Sequence, residues 1–224
     1  MTALRGIAER LESSRLYLCT DARERQGDFA EFVKAAAAGG VDLIQLRDKQ
    51  VAPERLVELV GVLRDAVGPY QPLIVVNDSA EIAGTSHADV LHIGQDDGAA
   101  AKARRHLHQW AKIGRSTHDP DQIRDALDDR DIDYFAVGPV WATPTKPTAQ
   151  PVSLDLVRHA VTVTPPFAAG SKPWFAIGGI NADNLEQVLD AGARRVCVVR
   201  AICDADDPQE AARVLKDQLR QFGR

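Results

Sequence analysis

The residues of this 224-residue chain best suited to chemistry fall in short clusters, each directly after an apolar run. The first is Gln45-Leu46-Arg47-Asp48-Lys49. Extended backbone alternates side chains between two faces, so Gln45, Arg47 and Lys49 share one face and Leu46 and Asp48 the other. An amide and two cations beside an apolar run need a partner, and a phosphate or diphosphate would satisfy them. A solvated strand end with surface salt bridges is the plainer alternative. The next clusters are Val75-Val76-Asn77-Asp78 and His92-Ile93-Gly94-Gln95-Asp96-Asp97. Asp78 with Asp96 or Asp97 could share one hard cation, because magnesium takes one or two carboxylates together with substrate phosphates and water. Asp78 could instead cap the next helix, with Glu81 completing the cap. His92 reads as a packed or hydrogen-bonded histidine rather than a ligand.

Further along, Gly114-Arg115-Ser116-Thr117-His118 offers hydroxyls that could bind substrate or only shape a turn. Ser116 and His118 have no acidic partner nearby in sequence, and no G-x-S-x-G elbow is present, so a hydrolase pair is not indicated. The run Gly138-Pro139-Val140-Trp141-Ala142-Thr143-Pro144-Thr145-Lys146 carries two hydroxyls and a lysine that can hold a phosphate, on a loop stiffened by proline. An ordinary proline-rich surface loop would look similar. Gly178-Gly179 precedes a helix signal, where glycine permits close backbone approach and free N–H groups attract anions. Arg200, after Val199, would add positive charge there.

Positioning these clusters requires a regular scaffold. The apolar runs are Leu16–Cys19, Val41–Leu46, Leu73–Val76, Val90–Ile93, Lys112–Gly114, Tyr134–Val137, Trp174–Ile177 and Arg195–Val199. They are short and often β-branched, which indicates strands buried on both faces. Helical patterns separate several of them. Phe29–Ala38 stops at Gly39-Gly40, Pro53 opens Glu54–Ala66, Asp119-Pro120 opens Asp121–Leu127, Asn181 or Asp183 caps a helix through Leu189, and Pro208 opens Gln209–Leu219. Eight β/α units without a long linker predict one closed (β/α)₈ TIM barrel over residues 1–224, with an extra helix within 1–13. In such a barrel the polar clusters, each at a strand end, would meet at one mouth. No G-x-G-x-x-G follows the first strand, which argues against dinucleotide binding.

Composition sets the outer bounds. Hydrophobic residues are 45 % and charged residues 26 %, as in ordinary globular proteins, so a disordered or fibrous chain is excluded. The formal net charge of −5 argues against a general nucleic-acid binder. No apolar run is long enough for a membrane span. The three cysteines, Cys19, Cys197 and Cys203, form no metal-binding spacing; with no signal-peptide core at the N-terminus they suit a reducing, cytoplasmic setting. Apolar outer helix faces would serve a homo-oligomer or a monomer equally.

Taken together and in order, from Tyr17 to Ile202, these clusters resemble the thiamine-phosphate synthase family. The resemblance rests on Gln45 to Lys49, Val76-Asn77-Asp78, His92 to Asp97, Gly114 to His118, Gly138-Pro139-Val140 with Thr143-Pro144-Thr145-Lys146, and Ile177 to Ile180. It implies a transferase on a (β/α)₈ barrel that joins a hydroxymethylpyrimidine diphosphate to a thiazole phosphate, or its carboxylate form, releasing diphosphate and using Mg2+. By the family's motifs, Gln45, Arg47, Lys49, Asn77, Ser116 and Lys146 would hold the pyrimidine diphosphate, with Arg47, Lys49, Ser116 and Lys146 taking part in catalysis. Asp78 and Asp97 would bind magnesium. Thr143, Thr145, Gly179, Val199 and Arg200 would line the thiazole phosphate site. Arg200 stands where many members carry a small residue, often serine, and Ala142 replaces a frequent proline. Three other activities fit fewer of the motifs. A thiazole phosphate tautomerase would not need both the cationic strand and the carboxylate pair. A sensor would bind product without turnover. A phosphosugar isomerase or aldolase would want a catalytic acid–base pair or a Schiff-base lysine at a strand end, and Lys112 lies at the start of its run.

Overall fold

The structure, a computed structural model, describes residues 6–143 and 150–222. Its strands are β1 (Leu16–Thr20), β2 (Leu43–Leu46), β3 (Leu73–Asn77), β4 (Val90–Ile93), β5 (Lys112–Thr117), β6 (Tyr134–Val137), β7 (Trp174–Ile177) and β8 (Val196–Val198). All neighbours pair in parallel, and β8 returns to β1 through Tyr17 opposite Cys197, so the sheet is a closed barrel. The (β/α)₈ fold expected from the rhythm of apolar runs is the one formed. Several boundaries move: β2 starts at Leu43 instead of Val41, the run at Lys112 continues to Thr117, β1 and β3 each run one residue further, and β8 is one residue shorter at each end.

Alternation divides each strand between two cores. Inward residues Tyr17, Leu43, Leu73, Val75, Val90, Tyr134 and Phe175 fill the barrel. Outward residues such as Leu18, Ile44, Val76, Ile113 and Phe135 pack beneath the helices. Those helices are α1 (Ile7–Ser13), α2 (Phe29–Ala38), α3 (Pro53–Val67), α4 (Ala80–Thr85), α5 (Ala100–Ala103), α6 (Pro120–Asp128), α7 (Ser153–Val163), α8 (Leu185–Asp190), α9 (Arg200–Cys203) and α10 (Pro208–Gln221). Proline occupies the first turn of α3, α6 and α10, where its missing N–H costs nothing. Asp119 and Asp207 cap α6 and α10 by accepting from the N–H groups of Gln122 and Glu210. Helix α8 begins later than expected, at Leu185. Asn181 is occupied in a local turn, its Oδ1 accepting from the N–H groups of Asp183 and Asn184, and it does not cap the helix. The helix expected after Asp78 is α4; α5, α7 and α9 had no pattern of their own assigned, and α5 and α9 have only four residues, too few for a periodic signal.

The N-terminal end of the barrel is closed by polar pairing. Asp42, Asp89 and Asp133 stand just before β2, β4 and β6 and accept from the N–H groups of Leu16, Ile74 and Ile113, within the first two residues of β1, β3 and β5. Asp42 also pairs with Lys216 of α10, which is nearly buried. Burial lowers the Lys216 pKa, and Asp42 opposes that shift. Lys112 pairs with Asp133 at this same end, 2.9 Å away, and is remote from the mouth where a Schiff base would be needed. Helix α1 completes the floor: Leu11 and Ile7 reach the inner core, while Arg195 donates to the carbonyls of Ser14 and Glu12. Burial, aided by neighbouring Arg15, lowers the Arg195 pKa to about 10.

Candidate active site

Every strand contributes to one cavity of about 600 Å³ at the C-terminal mouth. From β2, Gln45 and Arg47 face inward as alternation requires, and Lys49 follows on the same side. Arg47 extends the ladder past the end of the strand, its N–H donating to Thr20 O at 2.8 Å. Asp48 turns the other way and accepts from the N–H groups of Ala22 and Gln50. Gln45 is only 4 % exposed, and its amide nitrogen Nε2 has no hydrogen-bond partner among the described residues. A buried donor in that state needs an acceptor from a ligand or water. Arg47 has no ion-pair partner among the described residues, while Lys49 Nζ lies 3.5 Å from Asp78 Oδ2.

The helix-capping alternative for Asp78 is ruled out by geometry. Ser79 caps α4, its Oγ accepting from Ile82 N–H, and Glu81 accepts from that same hydroxyl. Asp78 itself adopts a left-handed conformation at φ 62° and lines the cavity. That conformation is uncommon for a non-glycine residue and tolerated best by Asn and Asp. Burial, then the facing Asp97 carboxyl, raise the Asp78 pKa above the usual carboxylate range, against the pull of Lys49 and Arg47. Asp97 is fixed by accepting from Gly94 N–H at 2.6 Å. Of the two acidic residues after Gln95, it is Asp97 that faces Asp78. Two carboxyls brought together at the cost of such a shift form a set that a divalent cation would relieve. Among the described residues no group of three or more His, Cys, Asp or Glu is arranged for a metal, so remaining ligands would have to come from substrate and water.

Ser116 on β5 is largely buried at the cavity wall. Its carbonyl accepts from Gln95 Nε2 at 2.6 Å, and its hydroxyl lies 2.9 Å from His92 Nε2. His92 Nδ1 lies 2.9 Å from the Tyr134 hydroxyl, which in turn lies 3.2 Å from that of Tyr17. The hydrogen-bonded histidine expected from sequence is present, but it is tied to a candidate site residue. His118 has its main-chain N–H bound by Gln122 Oε1 of α6, and its ring lies at the cavity wall, hydrogen-bonded to Gly138 O.

On the opposite wall the loop after β6 docks on the end of β7. Val140 and Trp141 donate to the carbonyls of Ile177 and Gly178. Gly178 and Gly179 have φ of 107° and 70°, and a Cβ on Gly178 would sit 2.4 Å from Pro139 Cα. Both positive φ and close approach demand glycine there. Thr143, Gly179, Val199 and Arg200 line this side of the cavity, with Arg200 opening α9. Thr145 and Lys146 lie outside the described residues.

The mouth thus gathers Gln45, Arg47, Lys49, Asn77, Asp78, Asp97, Ser116, Thr143, Gly179, Val199 and Arg200. Sequence reading missed Tyr17, Tyr134 and Gln95 as its supports. Strand alternation was the available signal, since Tyr134 shares its face with Ala136 of the cavity wall. Cys19 and Cys197 are buried and line the cavity.

Fold and mouth define a class: a (β/α)₈ barrel with a cationic strand end beside a carboxylate pair at its C-terminal face. Residues 16–202 match the family described as thiamine monophosphate synthase. The chain is 51 % identical over 219 residues to the thiamine-phosphate synthase of Saccharopolyspora erythraea, covering 96 % of each chain. It is 53 % identical over 219 residues to that of Mycobacterium tuberculosis, covering 94 % of this chain and 96 % of the relative. The solved thiamine phosphate pyrophosphorylase from Pyrococcus furiosus superposes with a TM-score of 0.83 at 27 % identity, covering 96 % of this chain and 100 % of the other. The chain belongs to the thiamine monophosphate synthase family and is a transferase of thiamine biosynthesis. No helix among the described residues is long and apolar enough to cross a membrane.

Proposed function

We propose that this enzyme condenses 4-amino-2-methyl-5-hydroxymethylpyrimidine diphosphate with 4-methyl-5-(2-phosphoethyl)thiazole to give thiamine phosphate and diphosphate. The observation that carries this reading is one cavity holding two strand-end cations, Arg47 and Lys49, beside the facing Asp78 and Asp97 carboxyls. A diphosphate needs the first pair, and a cation bridging it to the protein needs the second. Bound magnesium would supply charge stabilisation on the leaving diphosphate.

The reaction breaks the bond between the pyrimidine methylene carbon and the diphosphate oxygen, and the electron pair leaves with the diphosphate. Arg47 and Lys49 stabilise the charge that grows on that oxygen group. The aminopyrimidine ring spreads the positive charge left on the methylene. The thiazole nitrogen then donates its lone pair to that carbon. This nitrogen carries no proton, so no general base is needed, in keeping with a mouth that shows no nucleophile–base–acid triad among the described residues. Gln45 Nε2 and Ser116 hold the pyrimidine, Asn77 and Lys146 the diphosphate. Gly179, Val199, Arg200, Thr143 and Thr145 receive the thiazole phosphate.

The test is an endpoint assay of purified protein with both substrates and magnesium, thiamine phosphate being oxidised to fluorescent thiochrome. Product that vanishes with EDTA supports the reading. Folded protein that binds the thiazole phosphate but makes no product would overturn it in favour of a tautomerase or sensor.

A further inference from the structure

We infer that Arg115 is a positioning residue that holds the loop from Gly94 to Gly98, and with it the Asp97 carboxyl, opposite Asp78. It does so from outside the barrel. Arg115 alternates on β5 with Gly114 and Ser116, which face inward, and so points toward the helices. Its register partners are Ile93 on β4 and Phe135 on β6, both buried in the apolar layer between sheet and helices. A cation thus stands between two apolar side chains.

The scaffold meets this charge poorly. The Arg115 side chain is only 17 % exposed, and its ion pair with Asp129 is long, 4.0 Å from Nη1 to Oδ2. Its Nε is buried without a hydrogen-bond partner among the described residues. A cation held in this way costs stability relative to an apolar side chain of similar length. Its close hydrogen bond goes to the loop, where Nη2 donates to Gly98 O at 2.8 Å.

That bond completes a clamp. Gln95 Nε2 donates to Ser116 O at 2.6 Å, so two consecutive residues of β5 grip the loop near its two ends. Between the grips, Asp97 Oδ2 accepts from Gly94 N–H. Residues 95–99 are exposed, so packing does little to fix them and hydrogen bonds must. Gly98 turns the chain at φ 89°, directly after Asp97. Releasing its carbonyl therefore frees the residue next to the carboxylate while Gln95 stays tied.

The inference rests on the reading that Asp78 and Asp97 hold the cation, so one readout needs no metal. Arg115→Met keeps an apolar stem and removes the donor. In the metal-free variant the Gly94 amide should exchange about fivefold faster by NMR, the weight of one hydrogen bond. Binding of Mn2+ in the presence of inorganic diphosphate, followed by electron paramagnetic resonance, should weaken by about tenfold or more. Added magnesium should restore kcat, and the urea midpoint should equal or exceed that of the wild type. Arg115→Lys returns a donor for Gly98 O and should recover most of the Mn2+ affinity. Asp129→Asn removes the ion pair, keeps an acceptor for the Asp131 N–H, and should bind Mn2+ as the wild type does. Unchanged exchange and unchanged Mn2+ binding in Arg115→Met would overturn the proposal. So would an Arg115→Met protein that unfolds at lower urea and loses kcat at every magnesium concentration, or an Asp129→Asn protein with the same loss of Mn2+. Wild-type protein that binds no Mn2+ under these conditions would sink the cation reading instead, and the Gly94 exchange still decides whether Arg115 holds the loop.

Discussion

Gly114 and Tyr134 occupy paired positions on β5 and β6, and the tyrosine ring fills the space that any side chain at Gly114 would need. A missing side chain on one strand thus admits the ring of the next beneath the site. Gly114→Ala should destabilise the fold by about 3 kcal/mol, the upper range for overpacking a tight core, because the contact is to a buried ring hemmed in by Tyr17, His92 and Phe175. Urea denaturation would measure it, and a loss below about 0.5 kcal/mol would mean the ring has room to move.

Arg47, just past the end of β2, lines the cavity and has no ion-pair partner among the described residues. Arg47→Ala is expected to lower kcat on the order of 10²-fold, the usual loss for one electrostatic stabiliser of a developing charge. Steady-state kinetics at saturating magnesium would check it; an unchanged kcat would remove Arg47 from the chemical step.

Asp78 and Asp97 face each other with the Asp78 carboxyl already pushed up by burial and by its neighbour. Asp78→Asn should raise the magnesium concentration for half-maximal activity by about tenfold or more, since even indirect partners of a metal site contribute that much. A titration of activity against magnesium gives the answer. An unshifted midpoint would place the cation elsewhere.

Gly178 cannot take a side chain without displacing the backbone at Pro139, which carries the loop to Thr143. Gly178→Ala should therefore affect the thiazole side selectively, lowering kcat/KM for the thiazole phosphate by about 10²-fold, as for an angstrom-scale misplacement. The pyrimidine diphosphate KM should move far less. Equal losses for both substrates would point to a general loss of fold.

At the other end of the barrel, Asp42 accepts from two main-chain N–H groups and pairs with Lys216. Asp42→Asn keeps an acceptor for the main chain but leaves the buried ammonium uncompensated. A destabilisation of about 3 kcal/mol is expected, as for a broken buried pair, with kcat unaffected because the mouth lies at the far end of the strands. Thermal denaturation and kinetics on one preparation would test both parts.

The barrel was legible because its strands are buried on both faces, leaving short apolar runs that stand out from amphipathic helices. Val90–Ile93, Tyr134–Val137, Trp174–Ile177 and Phe29–Ala38 were placed to the residue. The four-residue helices α5 and α9 were not, because a single turn carries no period. The candidate site was legible to the same degree: Gln45, Arg47 and Lys49 share a face by alternation, a local property of extended chain.

What alternation could not decide was anything set by a neighbour distant in sequence. Ser79 rather than Asp78 caps α4 because main-chain torsion at Asp78, held by its N–H bond to His92 O across the sheet, turns its carboxyl toward the cavity. Asp97 rather than Asp96 meets Asp78 because Gly94 N–H anchors it. The Tyr17–Tyr134–His92–Ser116 file joins residues up to 117 positions apart and exists only once the barrel closes. The sequence by itself determined which residues stand at strand ends and which way they face, because that follows from a two-residue repeat. Only the tertiary structure decided which of them touch, because barrel closure and strand register set those distances.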